Sequence, residues 1–118
     1  MGKLSVTEFV TLDGVAQAPG GPDEDSEGGF SHGGWQAAFG HPEVGKALFE
    51  QASSMDALLL GRRTYEIFAN YWPTASAESP YTGLLNGVPK YVASRTLAAP
   101  LAWQGSTLVA EPFVDGIA

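Results

Sequence analysis

Two short polar segments hold the residues of this sequence that are best suited to binding a ligand. Gly61-Arg62-Arg63-Thr64 follows the apolar run Leu58–Leu60, and Ser94-Arg95-Thr96 follows Tyr91-Val92-Ala93. An apolar run that stops at a glycine and continues into a helical pattern predicts a buried strand followed by a helix. Arginines beside the free N–H groups of a helix's first turn suit a phosphate. For the first segment alone, an ordinary turn with two solvated arginines is an equal alternative.

The surrounding elements predict how these two segments are positioned. Periodicity and turn residues predict four strands, at Lys3–Val10, Ala57–Leu60, Tyr91–Ala93 and Thr107–Val109. They also predict two helices: one spans Pro42–Ser54, and the other has Thr64 as its N-cap and ends before Pro73. Residues 73–89 read mostly as loop, with one turn near Tyr81–Leu85. This order predicts an α/β protein with a largely parallel sheet. Since ligands bind outside the carboxyl ends of parallel strands, we expect both arginine-bearing segments at one edge.

Composition limits the classes of protein that remain. The 118 residues are 44% hydrophobic and include no cysteine, which predicts one domain and excludes disulfides and thiolate metal sites. The formal charge of −7 argues against nucleic acid or an anionic membrane as the main partner. No targeting segment or membrane span is visible, so a cytoplasmic location is expected.

Residues 18–34 form a long loop rich in glycine and acidic side chains. A loop of this length within a compact domain is usually functional or mobile, and we expect a lid that closes over a ligand. Asp23, Asp25 and Glu27 alternate along it, but the glycine and final glutamate of an EF-hand loop are absent, so a solvated loop is favoured over a metal site. His32 and His41 read as loop or capping residues.

Several motifs resemble one protein family. Gly61–Glu66 resembles the Gly-Arg-x-Thr-aromatic-Glu turn of dihydrofolate reductases, and Val88–Leu97 resembles their next strand and its serine-containing turn. Glu8–Val15, Gln17–Asp25 and Gly33-Gly34-Trp35 resemble the reductase domain of the riboflavin-pathway deaminase-reductase and its stand-alone bacterial relatives. The resemblance covers about residues 3–109.

The resemblance implies a three-layer αβα dihydrofolate-reductase-like fold and an NADPH-dependent reductase. The hydride acceptor would be a pterin, a pyrimidine or another carbonyl or imine compound, as in 5-amino-6-(5-phosphoribosylamino)uracil reductase. The implied cofactor-binding residues are Gly61, Arg62, Arg63 and Thr64 for the phosphates, Ser94, Arg95 and Thr96 for the 2′-phosphate, and Val15 and Ala16 for the nicotinamide. The implied substrate-binding residues are Asp13, Trp35 and Phe68, although Trp35 fits a core position equally well.

The sequence departs from the family pattern in two places. Glu43 and Glu50 lie where dihydrofolate reductases carry a catalytic carboxylate, but both fit solvated helix positions at least as well. Residues 111–118 match nothing in the family's continuation, so we expect residues 1–118 to be a single, partial domain without the C-terminal strands and the pyrophosphate-binding Gly-Gly turn. The alternative function is therefore a non-catalytic, nucleotide-binding or oligomer-forming remnant. Unpaired strand edges in such a domain predict either direct closure into a smaller sheet or a homodimer, and the homodimer is favoured because direct closure demands a new register along Leu4–Val10.

Overall fold

A computed structural model describes residues 2–117 of the chain. The chain divides into two compact units, with the boundary between Lys46 and Ala47.

The first unit contains no β-strand among the residues described, so the predicted strand at Lys3–Val10 is wrong for this chain. Residues 2–10 are all exposed, and the side chains of Leu4 and Val6 are 72% and 86% exposed. An isolated extended segment lacks the ladder hydrogen bonds that stabilise a strand. The alternation of apolar and polar residues indicates two faces of a strand, but it does not supply the neighbour that a strand needs.

The long segment of residues 18–34 is closed by hydrogen bonds at its two ends. The Gly34 N–H donates to the Ala18 carbonyl at 2.8 Å, and the Trp35 indole N–H donates to the Gln17 carbonyl at 2.9 Å. Gly33 passes close to the Pro22 carbonyl, and a Cβ at this position would collide with that oxygen. Two short 3-10 helices, Glu27–Gly29 and Trp35–Phe39, complete this part of the chain. The segment is thus an organised loop with neighbouring ends.

Helix α1 spans Pro42–Ser53 and confirms the predicted helix to within one residue. Its first turn is capped by His41, whose Nδ1 accepts a hydrogen bond from the Glu43 N–H at 3.2 Å. Pro42 occupies the first helical position, where a missing N–H costs nothing.

The second unit is built on a parallel sheet of three strands, as predicted. The strands are β1 (Leu58–Gly61), β2 (Lys90–Ala93) and β3 (Ser106–Val109), in the order β1-β2-β3. The helices are α2 (Arg62–Tyr71), a 3-10 turn (Trp72–Thr74), α3 (Pro80–Gly87) and α4 (Phe113–Ile117). In register, Leu58 pairs with Lys90 and Gly61 pairs with Ala93. The carboxyl ends of the strands therefore meet at one edge of the sheet.

Two element boundaries correct the predictions. Helix α2 begins at Arg62, and Gly61 is its N-cap with extended backbone angles, so Thr64 is not the cap. The apolar run turns into helix as soon as glycine ends the strand, which places both arginines in the first turn. Helix α3 covers eight residues instead of the single turn predicted, because Pro80 supports a helix start and Leu85 is buried in the core.

The core of the second unit joins the sheet to α2 and α3. Its buried members are Leu60, Tyr65, Leu85, Val92 and Trp103. The Trp103 N–H donates to the Tyr65 hydroxyl oxygen at 3.1 Å. Of the four aromatic residues on α2 and at its end, Tyr65 is buried, Phe68 and Trp72 are half-buried, and Tyr71 is 60% exposed. Tyr71 stands on the last turn of α2 with its ring edge on Trp72.

Candidate functional site

The two arginine-bearing segments lie side by side, as the sequence predicted. β1 and β2 are parallel neighbours that end in register at Gly61 and Ala93, so the next residues of both leave the same edge of the sheet. β3 ends at the same edge with Val109. The edge formed by the residues after these three strands, 61–64, 94–96 and 110–111, is called the carboxyl edge below.

Arg62 joins the first two turns of the carboxyl edge directly. One terminal nitrogen of its guanidinium donates to the Thr96 hydroxyl at 2.8 Å, although 34 residues separate them in sequence. Its Nε also donates to the Glu66 carboxylate at 3.1 Å, one helical turn away. These two contacts hold an exposed guanidinium across the gap between the strand ends.

Ser94 organises the second turn. Its hydroxyl oxygen accepts hydrogen bonds from the N–H groups of Thr96 at 3.2 Å and Leu97 at 3.1 Å. It also lies 3.4 Å from the Thr96 hydroxyl oxygen. Serine side chains that bond the backbone two or three residues later form compact turns. The turn presents the Thr96 hydroxyl toward Arg62 and leaves Arg95 at its tip.

Arg95 is 74% exposed and makes an ion pair between its Nε and the Glu111 carboxylate. Its guanidinium also lies over the Phe113 ring, 5.4 Å from the ring centroid. An arginine that stacks on an aromatic face keeps the edge of its planar fork available for an anion. The site therefore already contains one anion, a carboxylate of the same chain.

The start of α2 adds further donors to the carboxyl edge. The first N–H groups of a helix have no intrahelical acceptor, and no side chain caps this one. Arg63 and Thr64, in the same turn, are exposed. Apart from the residues next to it in the chain, no described residue has an atom within 4 Å of where a Gly61 Cβ would stand, so the space above it is open. Guanidinium groups, hydroxyls and a helix N-terminus together suit a phosphate-bearing ligand.

Four of the predicted residues lie in the first unit. The Asp13 carboxylate accepts a hydrogen bond from the Thr11 hydroxyl at 2.6 Å, which lowers the pKa of Asp13 below its usual value. The Val15 N–H donates to the same Thr11 hydroxyl at 2.8 Å, and Ala16 is exposed. Trp35 is half-buried and bonded to the loop backbone. These residues form an ordered turn and loop base; their assignment to nicotinamide and substrate remains a prediction.

Phe68 packs against the core of the second unit. It is half-buried, and its ring meets the rings of Trp72 and Trp103 edge-on at centroid distances of 6.4 Å and 6.5 Å. Its proposed contact with substrate therefore stays a prediction.

Two carboxylates of the acidic loop accept hydrogen bonds from the loop's own backbone. Glu24 accepts hydrogen bonds from the N–H groups of Gly20 at 2.6 Å and Gly21 at 2.8 Å, and Asp25 accepts one from Glu27 at 3.0 Å. Within residues 2–117, no group of three histidine, aspartate or glutamate side chains is arranged to hold a metal ion.

A polar cluster that no sequence motif predicted lies at the opposite end of the sheet. Lys90, the first residue of β2, is fully buried, and its Nζ donates to the carbonyls of Asn86 at 2.8 Å and Gln104 at 3.0 Å. The ammonium also lies 4.2 Å from the centroid of the Trp103 ring, and the Trp103 indole N–H donates to the Asn86 side chain at 2.7 Å. Lys90, Asn86, Trp103 and Gln104 are called the amino-edge cluster below.

Beside this cluster is a shallow cavity of about 280 Å³ lined by Pro73, Asn86, Ala102, Trp103 and Gln104. The sequence did contain one signal for the burial of this lysine. Lys90 and Val92 are two residues apart in a strand, so Lys90 faces the same side of the sheet as an apolar residue.

The longest helix in the described part of the chain has 12 residues, and none there is long and apolar enough to cross a membrane.

Fold and site together define an α/β protein with a parallel sheet and a cationic carboxyl edge. The family comparison agrees with this class: residues 2–114 match the model of the RibD C-terminal domain, and the chain belongs to that family. The match confirms the resemblance to the riboflavin-biosynthesis reductase domain and its dihydrofolate-reductase-like α/β class. No curated protein matches the chain.

Proposed function

We propose that this protein is an NADPH-dependent reductase of the riboflavin-biosynthesis and dihydrofolate reductase type. It would transfer hydride to a pterin, a pyrimidine or another carbonyl or imine substrate, as 5-amino-6-(5-phosphoribosylamino)uracil reductase does. The observation that carries the proposal is the Arg62–Thr96 hydrogen bond, because it joins the two predicted cofactor segments into one cationic surface. Family membership supports the same class of chemistry.

The side chains of the carboxyl edge fit the phosphates of this cofactor. Arg62, Arg63 and Thr64, with the N-terminus of α2, would bind the bridging phosphates. Ser94, Arg95 and Thr96 would bind the 2′-phosphate, for which a planar guanidinium offers paired charge-assisted hydrogen bonds. The Glu111 carboxylate on Arg95 supports this fit, since it is an anion held by the same guanidinium.

NADPH supplies the hydride when it is bound. The protein's own contribution is to position the cofactor and the acceptor and to exclude water. In this proposal Val15 and Ala16 lie near the nicotinamide, and Asp13, Trp35 and Phe68 contact the substrate. The segment of residues 18–34 would close over both ligands.

Fluorescence titration tests the proposal, because tryptophan emission reports cofactor binding without requiring a known substrate. We expect NADPH to quench the emission saturably and to bind more tightly than NADH. Oxidation of bound NADPH on addition of a pterin or pyrimidine acceptor would establish the reductase. Absence of any binding would contradict the proposal.

The alternative is a nucleotide-binding protein without turnover. One observation favours it: Glu43 and Glu50 are both exposed on α1. Enzymes commonly bury a catalytic carboxyl group, because burial adjusts its affinity for the proton it must transfer. Saturable NADPH binding with no oxidation of the cofactor by any acceptor would select this alternative.

We also propose a homodimer in the cytoplasm. Within the described residues, β1 and β3 each pair with a strand on one side only, and residues 2–10 are exposed with an alternating apolar pattern. Open strand edges and an unpaired strand-like segment favour pairing with a second copy. Sedimentation should give a dimer at micromolar concentration; a monomer over a wide concentration range would reject it. The lack of cysteine is compatible with the cytoplasm.

A further inference from the structure

Glu111 occupies the position at Arg95 that an anionic ligand would take. It follows β3 by two residues, at the carboxyl edge, and its carboxylate pairs with the Arg95 Nε. Two residues later, Phe113 begins α4 and supports the face of the same guanidinium. One short segment after β3 thus supplies both an anion and an aromatic platform to the exposed arginine of the neighbouring turn.

The pairing has a consequence for any second anion. A carboxylate and a phosphate both require the edge of the guanidinium, so they compete for the same donors. A phosphate that arrives while the carboxylate stays nearby also meets a like charge at short range. The segment after β3 is held against the strand, because Gly116 of α4 lies so close to the Val109 side chain that a Cβ at this position would collide with it. The backbone of Glu111 therefore stays near Arg95 even when the Glu111 carboxylate leaves the guanidinium.

We propose that Glu111 determines how strongly this protein discriminates between phosphorylated and unphosphorylated adenine ribose, by competing with the 2′-phosphate for Arg95. Phe113 acts as a positioning residue that holds the guanidinium for either anion. This inference rests on the proposed function, in that it takes Arg95 as the 2′-phosphate site. It adds that the site binds a phosphate only by displacing an internal carboxylate.

The expected effect is modest, because both partners are largely exposed, at 74% and 52%. Exposed ion pairs shift an equilibrium by up to about fivefold. Glu111→Gln removes the competing charge while it keeps size and hydrogen-bonding capacity. We expect this variant to bind NADPH about two- to fivefold more tightly than the unaltered protein and to bind NADH with unchanged affinity.

Asp56→Asn is a matched control for the loss of one negative charge. Asp56 is exposed and lies two residues before β1, at the opposite end of the sheet from Arg95. It should leave both affinities unchanged. Phe113→Leu should weaken NADPH binding and spare NADH. Circular dichroism of each variant checks that the fold is retained.

The outcomes separate this inference from the proposed function. If the unaltered protein prefers NADPH and Glu111→Gln does not raise that preference, the inference is wrong and the function stands. If only Glu111→Gln prefers NADPH, the inference is established, because Glu111 then competes strongly enough to abolish the preference in the unaltered protein. Equal tightening toward NADPH and NADH would overturn the inference, since a general charge effect explains it. Absence of any preference in both proteins overturns the inference together with the 2′-phosphate assignment.

Discussion

The two ends of the parallel sheet both carry cationic side chains, and they use them in opposite ways. At the amino-edge cluster, the Lys90 ammonium is fully buried and bonded to two carbonyls beneath an indole ring. At the carboxyl edge, Arg62 and Arg95 are exposed and bonded to hydroxyl and carboxylate oxygens that a ligand can replace. The ends are separated by about 10 Å along the strands.

The difference shows why one cationic side chain stabilises the fold while another is available to bind a ligand. Lys90 bonds the carbonyl of Asn86 near the end of α3, where the helix dipole favours a positive charge, and the backbone before β3. These carbonyls cannot leave without unfolding the unit. The partners of the arginines are side chains on exposed turns, and such contacts exchange with solvent at little cost.

Removal of the buried ammonium should have the largest effect. Lys90→Ala removes the buried donor to the carbonyls of Asn86 and Gln104 and opens a cavity at the start of β2, so we expect the free energy of unfolding to fall by about 3 kcal/mol. Lys90→Met keeps the stem and should cost about half as much. Urea unfolding measures both. Lys3→Ala, an exposed cation, is the control and should change stability by less than about 0.5 kcal/mol. Losses as small as the control's would show that the buried bonds contribute little.

Arg95→Ala should change ligand binding and leave stability nearly constant. Charge-assisted hydrogen bonds contribute about 1.5–3 kcal/mol each, so the preference for NADPH over NADH should fall about tenfold or more. The measurement is a pair of fluorescence titrations, with urea unfolding as the check on the fold. Equal affinity for both cofactors in the unaltered protein and also in Glu111→Gln would rule out the assignment of Arg95 to the 2′-phosphate.

The free energy of unfolding should depend on pH because Lys90 is buried in the folded protein. Burial lowers the pKa of Lys90 below its ordinary value of 10.5, so the unfolded chain binds more protons in the window between the two values. The free energy of unfolding should therefore rise with pH in that window. Burial raises the pKa of Tyr81 above 10.0, which has the opposite sign and lowers stability as pH rises above 10.0.

Urea unfolding at a series of pH values below 10.0 should thus show a positive slope that Lys90→Met abolishes. Identical slopes in the two proteins would mean that Lys90 does not titrate differently on folding.

The smallest expected effect concerns the loop of residues 18–34. Glu24 holds the N–H groups of Gly20 and Gly21, whereas Gly28 and Gly29 are exposed and adopt positive φ angles. Limited proteolysis should therefore cut near Gly28-Gly29 first and near Gly20-Gly21 later, and NADPH should slow both. Glu24→Gln should bring the two rates closer together. Cleavage that ignores the cofactor would count against a lid.

Much of the second unit could be predicted from local pattern. Apolar runs bounded by polar turns located β1, β2 and β3, and the order of elements implied parallel pairing, which brought Arg62 and Thr96 to one edge. The prediction of a strand at Lys3–Val10 was wrong, because alternation of apolar and polar residues specifies the two faces of a strand and does not specify a partner strand. The Arg95–Glu111 pair had no sequence signal, since only the register of β3 brings together residues that are 16 apart.

Hydrogen exchange with and without NADPH tests the contrast between the edges most directly. We expect NADPH to slow exchange of the amides of residues 61–64 and 94–96 and to leave exchange of the Lys90 and Trp103 amides unchanged. Lys90 donates its backbone N–H to the Gly105 carbonyl at 2.8 Å and should be strongly protected in both states. Protection centred on the amino-edge cluster, or no change at the carboxyl edge at saturating NADPH, would contradict the account.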